Sequence, residues 1–100
     1  MYYKGAGVPQ DYETAVKWYT RAAEQEDAYA QYYLGWMYVE GKGVPKDSVY
    51  AYMWWNIAAS NGSEIAAKNR SIVTKRMTSS QIAEAQKLAR ECVAKEYKGC

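Results

Sequence analysis

Residues 38–59 read YVEGKGVPKDSVYAYMWWNIAA, and residues 2–23 read YYKGAGVPQDYETAVKWYTRAA. The two segments lie 36 residues apart and are identical at ten of their 22 positions. A period of this length is typical of stacked supersecondary units, each of which buries its apolar face on the next. The repeat therefore predicts a solenoid, a fold in which function usually belongs to the surface that the stack presents.

The first half of the unit carries the pattern of an amphipathic helix, which we predict over residues 28–39. Asp27 precedes it and is suited to accept from the unpaired backbone N–H groups of the first turn. Gly35 lies in the middle of the helix, where glycine costs roughly 1 kcal/mol relative to alanine. We therefore expect a neighbouring helix to approach Gly35 too closely for a Cβ atom. Apolar residues at helical spacing form one stripe: Ala30, Tyr33, Leu34, Met37 and Tyr38.

The second half of the unit is a turn followed by another helix. Gly41 and Gly43 allow the chain to reverse, and Asp47 is placed to cap a helix predicted over residues 48–60. Its earlier copy is predicted over residues 12–25. Small and large apolar residues alternate, as in interlocked helices whose rings enter the hollows left by alanines. In the two copies these core residues are Ala51, Trp54, Trp55, Ala58 and Ala59, and Ala15, Trp18, Tyr19, Ala22 and Ala23.

This pattern resembles the Sel1-like repeat, a relative of the tetratricopeptide repeat, over about residues 1–66. The one departure is Trp55, where the family usually has tyrosine, and the first copy has Tyr19 there. The resemblance implies an all-α fold, a short α-solenoid of antiparallel helix pairs with a C-terminal capping pair. It also implies a bacterial setting and an adaptor for other proteins. The matching residues are Ala30, Leu34, Gly35, Tyr38, Gly41, Gly43, Val44, Asp47, Ala51, Trp54, Trp55, Ala58 and Ala59.

The repeat changes after the second copy. Ala66 matches Ala30, but Arg70 and Ser71 stand where Leu34 and Gly35 would recur. We predict a helix over residues 63–76, with Ile65, Ala66, Ile72 and Val73 together on its apolar side. Thr78 and Gln81 fit a capping box before a final helix that ends near residues 95–98. The stripe of that helix is Ile82, Ala85, Leu88, Ala89, Cys92 and Val93.

These boundaries predict a single domain over residues 1–100. It would comprise a partial first repeat (1–26), a complete repeat (27–62), and a degenerate repeat with C-terminal capping helices (63–100). Met1 aligns with Met37, so the first unit lacks its first helix. Either the sequence is a piece of a longer array, or another chain covers the open end and forms a homodimer.

Composition argues against several classes of function. The chain has no histidine, the commonest general base, and each glycine pair precedes Val-Pro and a capping aspartate instead of forming a phosphate loop. We expect no enzyme, cofactor or metal. Residues 1–60 hold 5 basic and 7 acidic residues (−2), and residues 61–100 hold 8 and 4 (+4). The net charge of +2 is too small to imply a nucleic-acid partner, and no stretch is long enough for membrane insertion.

The only cysteines are Cys92 and Cys100. In a continuous helix they would lie roughly 12 Å apart along the axis, too far for a disulfide. If the chain reverses near Gly99, they can bond. The alternatives are a buried Cys92 with a frayed Cys100, or a reactive or metal-bound thiol. No signal peptide is recognisable, although a trimmed N-terminus would hide one, so cytoplasm and periplasm or secretion both stay open.

The surface that we expect to bind a protein or peptide partner is a second stripe on the first helix. It comprises Tyr29, Tyr32, Trp36 and Glu40, at i, i+3, i+7 and i+11. In tetratricopeptide repeats this helix lines the concave face, and aromatic side chains are favoured interface anchors. The alternative is that the three rings pack on flanking helices. Trp54 and Trp55 are assigned to the core.

Overall fold

The structure is a computed structural model that describes residues 11–100. Its helices are α1 (Tyr12–Ala23), α2 (Ala28–Glu40), α3 (Ser48–Ser60), α4 (Glu64–Val73) and α5 (Ser79–Ala94), and a 3-10 turn (Thr74–Arg76) follows α4. The described residues contain no strand, which confirms the all-α prediction. The first copy of the glycine turn and the alignment of Met1 fall outside the described residues.

Side-chain caps determine where the helices begin. The carboxylate of Asp27 accepts from the backbone N–H of Tyr29 at 3.0 Å, and that of Asp47 accepts from Val49 at 2.9 Å. Asp11 caps α1 in the same way, through the N–H of Thr14. These contacts confirm the predicted caps, each of which satisfies donors that the first turn leaves unpaired.

The turn between α2 and α3 folds as the glycine pair predicts. Gly41 is left-handed, with φ 68°, and ends α2, while the N–H of Lys42 returns to the carbonyl of Met37 at 2.9 Å. A Cβ on Gly43 would overlap the backbone of Tyr12 at the start of α1. The second glycine is therefore needed because this turn packs against the preceding helix.

Helix α3 occupies the centre of the stack, because it contacts α2, α4 and α5, whereas α1 contacts α2. Trp54 is 2% exposed and Trp55 4%, which confirms their assignment to the core. Two clusters surround α3. Trp54 belongs to the first with Ala23, Ala30, Leu34, Met53, Ile57, Ala89 and Cys92, and Trp55 to the second with Tyr52, Ala58, Ala66, Val73 and Ala85.

Gly35 lies directly against Trp55. A Cβ on Gly35 would overlap the indole ring, and the indole N–H donates to the carbonyl of Tyr32 at 2.9 Å. The prediction of a close neighbour at Gly35 is confirmed. The neighbour is the side chain at which this sequence departs from the usual tyrosine of the family pattern.

The predicted apolar side of α4 is wrong in two of its four residues. Ala66 and Val73 are buried, but Ile65 is 53% exposed and Ile72 56% exposed. The reason is that the 36-residue register continues into α4. Ala66 and Val73 occupy the positions of the buried Ala30 and Met37, while the two isoleucines occupy those of Tyr29, which is exposed, and Trp36, which is half-buried.

Two other predicted core residues are exposed. Trp18 is 56% exposed. The reason is that, within the described residues, its helix α1 packs mainly on α2, whereas α3 packs on α2, α4 and α5. Val93 is 49% exposed on α5, whose buried face holds only Ala85, Ala89 and Cys92. In α1 and α5, fewer side chains are therefore buried than the apolar periodicity predicts.

Candidate protein-binding surface

The predicted stripe on α2 divides into two parts. Tyr29 and Glu40 are exposed, whereas Tyr32 and Trp36 are half-buried. Trp36 and Glu40 line a groove, but Tyr29 and Tyr32 do not. The four residues therefore share one side of the helix without forming a single site.

The groove lies between α2 and α4 and has a volume of about 170 Å³. Because α3 contacts both helices, its Trp55 lies between the two walls. Ile72 and Arg76 belong to the opposite wall from Trp36 and Glu40. We call this site the α2–α4 groove, and its lining is Trp36, Val39, Glu40, Trp55, Asn69, Ile72, Val73 and Arg76.

The two walls of the groove are related by the repeat. Ile72 stands 36 residues after Trp36, and Arg76 stands 36 residues after Glu40. Sequence reasoning found the α2 wall and missed the α4 wall, because Arg70 and Ser71 stand where the repeat residues Leu34 and Gly35 would recur. The signal that would have found it is the same 36-residue shift applied to the exposed stripe instead of the core.

Tyr29 and Tyr32 belong to an aromatic row beside the groove. The ring of Tyr32 stacks on Trp55 with centroids 6.4 Å apart, and it meets Tyr33 edge to face at 5.0 Å. Tyr33 also contacts Tyr29 at 4.7 Å and stacks on Tyr19 of α1 at 5.3 Å. Tyr32 thus packs on a ring of the flanking helix α3, whereas Tyr29 is exposed and contacts Tyr33 of its own helix.

The charged groups of the groove are of opposite sign. Within residues 11–100, neither the Glu40 carboxylate nor the Arg76 guanidinium makes a hydrogen bond or an ion pair. Arg70, on the same helix as Ile72, donates instead to the side-chain oxygen of Asn56. Glu40 and Arg76 thus lack a partner within the described residues, whereas Arg70 has one in Asn56.

A buried polar network lies on the other side of α2, and sequence reasoning missed it. Gln31 is fully buried, and its Nε2 donates to the carbonyl of Ala23 at 3.1 Å. The Nδ2 of Asn61 donates to Gln31 Oε1 at 3.0 Å and to the hydroxyl of Tyr97 at 3.5 Å. A glutamine within an apolar stripe is the sequence signal, since a buried amide requires partners. The network joins the ends of α1 and α3 to the C-terminal segment.

In the structure Cys92 and Cys100 are joined by a disulfide, with their Cα atoms 5.7 Å apart. The chain reverses after α5 because Glu96 and Tyr97 take left-handed conformations, with φ 55° and 67°. The N–H of Tyr97 then donates to the carbonyl of Cys92 at 2.8 Å. No metal-ligand cluster occurs among the described residues, and none of their helices is long and apolar enough to span a membrane.

The fold and the groove define a class, that of short α-solenoids built from repeated helix pairs. The family model of the Sel1 repeat matches residues 1–27 and 28–63. The chain belongs to the Sel1 repeat family. Repeats of this kind are generally protein–protein interaction modules and typically non-catalytic scaffolds.

A solved structure supports the same assignment. It is the crystal structure of a protective antigen present in uropathogenic Escherichia coli strains, which displays an SLR fold. The TM-score is 0.84 at 32% sequence identity, over 95% of this chain and 21% of that chain. This chain therefore spans about one fifth of the length of that relative. No curated protein matches the chain significantly.

Proposed function

We propose that this chain is an adaptor module that presents the concave side of its helix pairs, centred on the α2–α4 groove, to a protein or peptide partner. The observation that carries the proposal is the groove itself. Trp36 and Ile72, from successive units, flank Trp55, and both keep accessible surface. Tryptophan is enriched among residues that dominate binding energy because it buries a large area with few torsions to order.

The packing around the groove favours a preformed surface. Trp55 is fixed by its hydrogen bond to Tyr32 and by the close contact of its ring with Gly35. A surface held in its binding conformation before association loses little side-chain entropy when a partner arrives.

The test is a comparison of captured proteins with two groove variants. Trp36→Ala and Ile72→Ala are each immobilised and exposed to a bacterial lysate, and the retained proteins are identified by mass spectrometry. Ile65→Ala is the matched control, since Ile65 is the same residue type on the same helix with nearly equal exposure but does not line the groove. We expect partners of the unsubstituted chain to be lost with both groove variants and kept with the control.

Circular dichroism keeps this test interpretable. Trp36 is half-buried and Ile72 exposed, so both variants should retain helicity. Tyr32→Ala is unsuitable, because the Tyr32 ring stacks on Trp55 and its loss would disturb the core. Retention of every partner by a folded Trp36→Ala variant would refute the assignment of binding to the groove.

A second candidate function is self-association through α1. Trp18 is 56% exposed, whereas Trp54, its equivalent one repeat later, is 2% exposed. The guanidinium of Arg21 lies 5.6 Å from the Trp18 ring centroid. An exposed tryptophan at a position that is core in the next unit favours coverage by a second copy of the chain.

Light scattering tests this candidate. A dimer should dissociate when Trp18 is changed to alanine, whereas Val93→Ala, which alters another exposed apolar residue, should have no effect. A monomer from micromolar to millimolar concentration would exclude self-association.

We also propose that residues 63–100 form the degenerate repeat and the C-terminal cap of this domain. The support is the composition of α5, which buries small residues against α3 and exposes polar ones on its other side. Terminal units of solenoids need such a polar outer face.

A further inference from the structure

The size of the α2–α4 groove limits what it can hold. Its volume of about 170 Å³ is close to that of an apolar cavity of about 150 Å³ that accommodates benzene. One side chain of leucine to phenylalanine size therefore fills it. A helical partner would instead need a row of pockets for residues at i, i+3, i+4 and i+7. Because this groove holds about one such side chain, it favours an extended segment with one apolar anchor.

The two walls of the groove carry different charges. Glu40 is the only charged residue of α2. The facing wall carries Arg76, which lies in the 3-10 turn that follows α4. Of the residues that line the groove only Glu40 and Arg76 are charged, one on each wall, and an asymmetric pair of this kind sets partner choice and orientation more than total affinity.

The charged residues also have a definite position relative to the apolar anchor. Glu40 follows Trp36 by four residues, which is about 6 Å along α2, and Arg76 follows Ile72 by four residues, three of which form the 3-10 turn after α4. An extended chain rises about 3.3 Å per residue, so groups within two positions of the anchor can reach them. Because Glu40 and Arg76 have no partner within the described chain, a ligand does not have to break an existing ion pair.

Resting on the function proposed above, we propose that the groove takes an extended peptide segment with one leucine- to phenylalanine-sized side chain between Trp36 and Ile72. A basic residue of the segment meets Glu40, and an acidic residue meets Arg76. Both lie within two positions of the anchor, on opposite sides of it. The segment crosses from α2 to α4 in one direction only, because the reverse direction would place like charges together.

The probe for this proposal is a random twelve-residue peptide library displayed on phage and selected against the whole chain. We expect enriched sequences to share an aliphatic or aromatic residue flanked by one basic and one acidic residue. A synthetic consensus peptide should bind Ile72→Ala at least about tenfold more weakly, as for a central interface residue, and Ile65→Ala with unchanged affinity.

A charge reversal gives the sharper test. The variant Glu40→Lys should prefer a peptide whose basic residue is replaced by an acidic one, so that both flanking residues are acidic, and the unsubstituted chain should prefer the original. This crossover requires gained as well as lost binding, so unfolding cannot produce it. Equal binding of both peptides by both proteins would overturn the proposed charge recognition.

The outcomes separate this inference from the function on which it rests. Enriched peptides that depend on Trp36 and Ile72 but carry no charge pattern would overturn the inference and leave the adaptor function standing. A selection that yields no peptide dependent on Trp36 or Ile72 would count against peptide binding in the groove, and so against both.

Discussion

Gly35 and Trp55 form the contact that joins the two helices of the complete repeat. The indole ring lies where a Cβ on Gly35 would be, and its N–H donates to the carbonyl of Tyr32 on the same helix as Gly35. Glycine in the middle of a helix costs about 1 kcal/mol on propensity alone. The packing and hydrogen bond of the Trp55 ring offset this cost.

Replacing Gly35 with alanine should destabilise the protein. The gain in helix propensity is about 1 kcal/mol, but overpacking against Trp55 costs typically 1–3 kcal/mol, so we expect a net loss of up to about 2 kcal/mol. In a Trp55→Leu background the same change should be neutral or stabilising, because the ring is gone. Urea unfolding of the four proteins measures both effects, and a stabilising Gly35→Ala in the unsubstituted chain would contradict the contact.

The carboxylate of Asp11 is held in its charged form by Thr14. The Thr14 hydroxyl donates to Asp11 at 2.6 Å and its backbone N–H at 3.0 Å, and these bonds lower the pKa of Asp11 from its ordinary value of 3.8. A lowered pKa means that the cap's contribution to stability is present above the unfolded pKa. It is lost as pH falls through the folded pKa.

Thr14→Ala should therefore raise the pKa of Asp11 towards its ordinary value, because the hydroxyl bond is the largest cause of the shift. The titration is followed through the carboxyl carbon signal of Asp11 by NMR. Thr20→Ala is the control, since the Thr20 hydroxyl donates to the carbonyl of Val16 and not to a carboxylate. An unchanged Asp11 pKa in Thr14→Ala would rule out this cause.

At the scale of the element, the last helix begins with a complete capping box. The backbone N–H of Gln81 donates to the Thr78 hydroxyl at 3.1 Å, and the backbone N–H of Thr78 donates to Gln81 Oε1 at 2.9 Å. Two donors at the start of α5 are satisfied in this way. The box was predicted from the sequence and is confirmed.

Thr78→Ala should lower the free energy of unfolding by about 1 kcal/mol, the usual cost of removing an N-cap side chain. The measurement is the urea midpoint at constant m-value. Ser80→Ala, an exposed change two residues along, should stay within about 0.5 kcal/mol. Equal midpoints for the two variants would show that the cap contributes nothing to the stability of α5.

The elements were predictable where local chemistry determines them. Asp27, Asp47 and Thr78 mark helix starts, and the prediction of a helix at 48–60 coincides with α3. The face of α4 was not predictable from its own apolar residues. Ile65 and Ile72 are exposed because the neighbouring helices, and not the periodicity of α4, decide which side is covered.

Only one wall of the candidate site was predictable from the sequence, because the other depends on how neighbouring helices pack. Trp36 and Glu40 were predicted from α2 alone, but a groove needs a second wall. Ile72 and Arg76 come from a copy that has lost the consensus residues by which a repeat is recognised. The predicted stripe divides because Tyr32 stacks on Trp55 while Trp36 and Glu40 line the groove. This depends on how α2 packs against α3, and the sequence of α2 alone does not specify that packing.

At the scale of the whole molecule, the C-terminal segment is tied back to the body of the stack. Tyr97 and Cys100 pack against the first core cluster, and the hydroxyl of Tyr97 lies within hydrogen-bond distance of Asn61. Asn61 in turn donates to Gln31, which bonds the end of α1. The segment after α5 therefore contacts a polar network that spans three helices.

We propose that the disulfide between Cys92 and Cys100 stabilises this arrangement by closing the intervening turn. The two cysteines are 8 residues apart, and a loop of that length constrains the unfolded chain by about 2–3 kcal/mol in the chain-entropy treatment. Cys100→Ser should therefore lower the free energy of unfolding by up to that amount. It should also weaken the hold on Tyr97, because the chain beyond α5 is no longer anchored at both ends.

Urea unfolding of the oxidised chain, the same chain with reductant, and Cys100→Ser measures the effect of the disulfide. Reductant should shift the unsubstituted chain to the midpoint of the variant and leave the variant unchanged, since only the former has a bond to lose. Alkylation followed by mass spectrometry provides the control, with both cysteines of the untreated chain protected and both of the reduced, unfolded chain labelled. If both cysteines are labelled when the chain is unfolded without reductant, the thiols are free and no disulfide is present. The C-terminal segment would then be held by the packing of Tyr97 and Cys100 and by the hydrogen bonds of Tyr97, without a covalent bond.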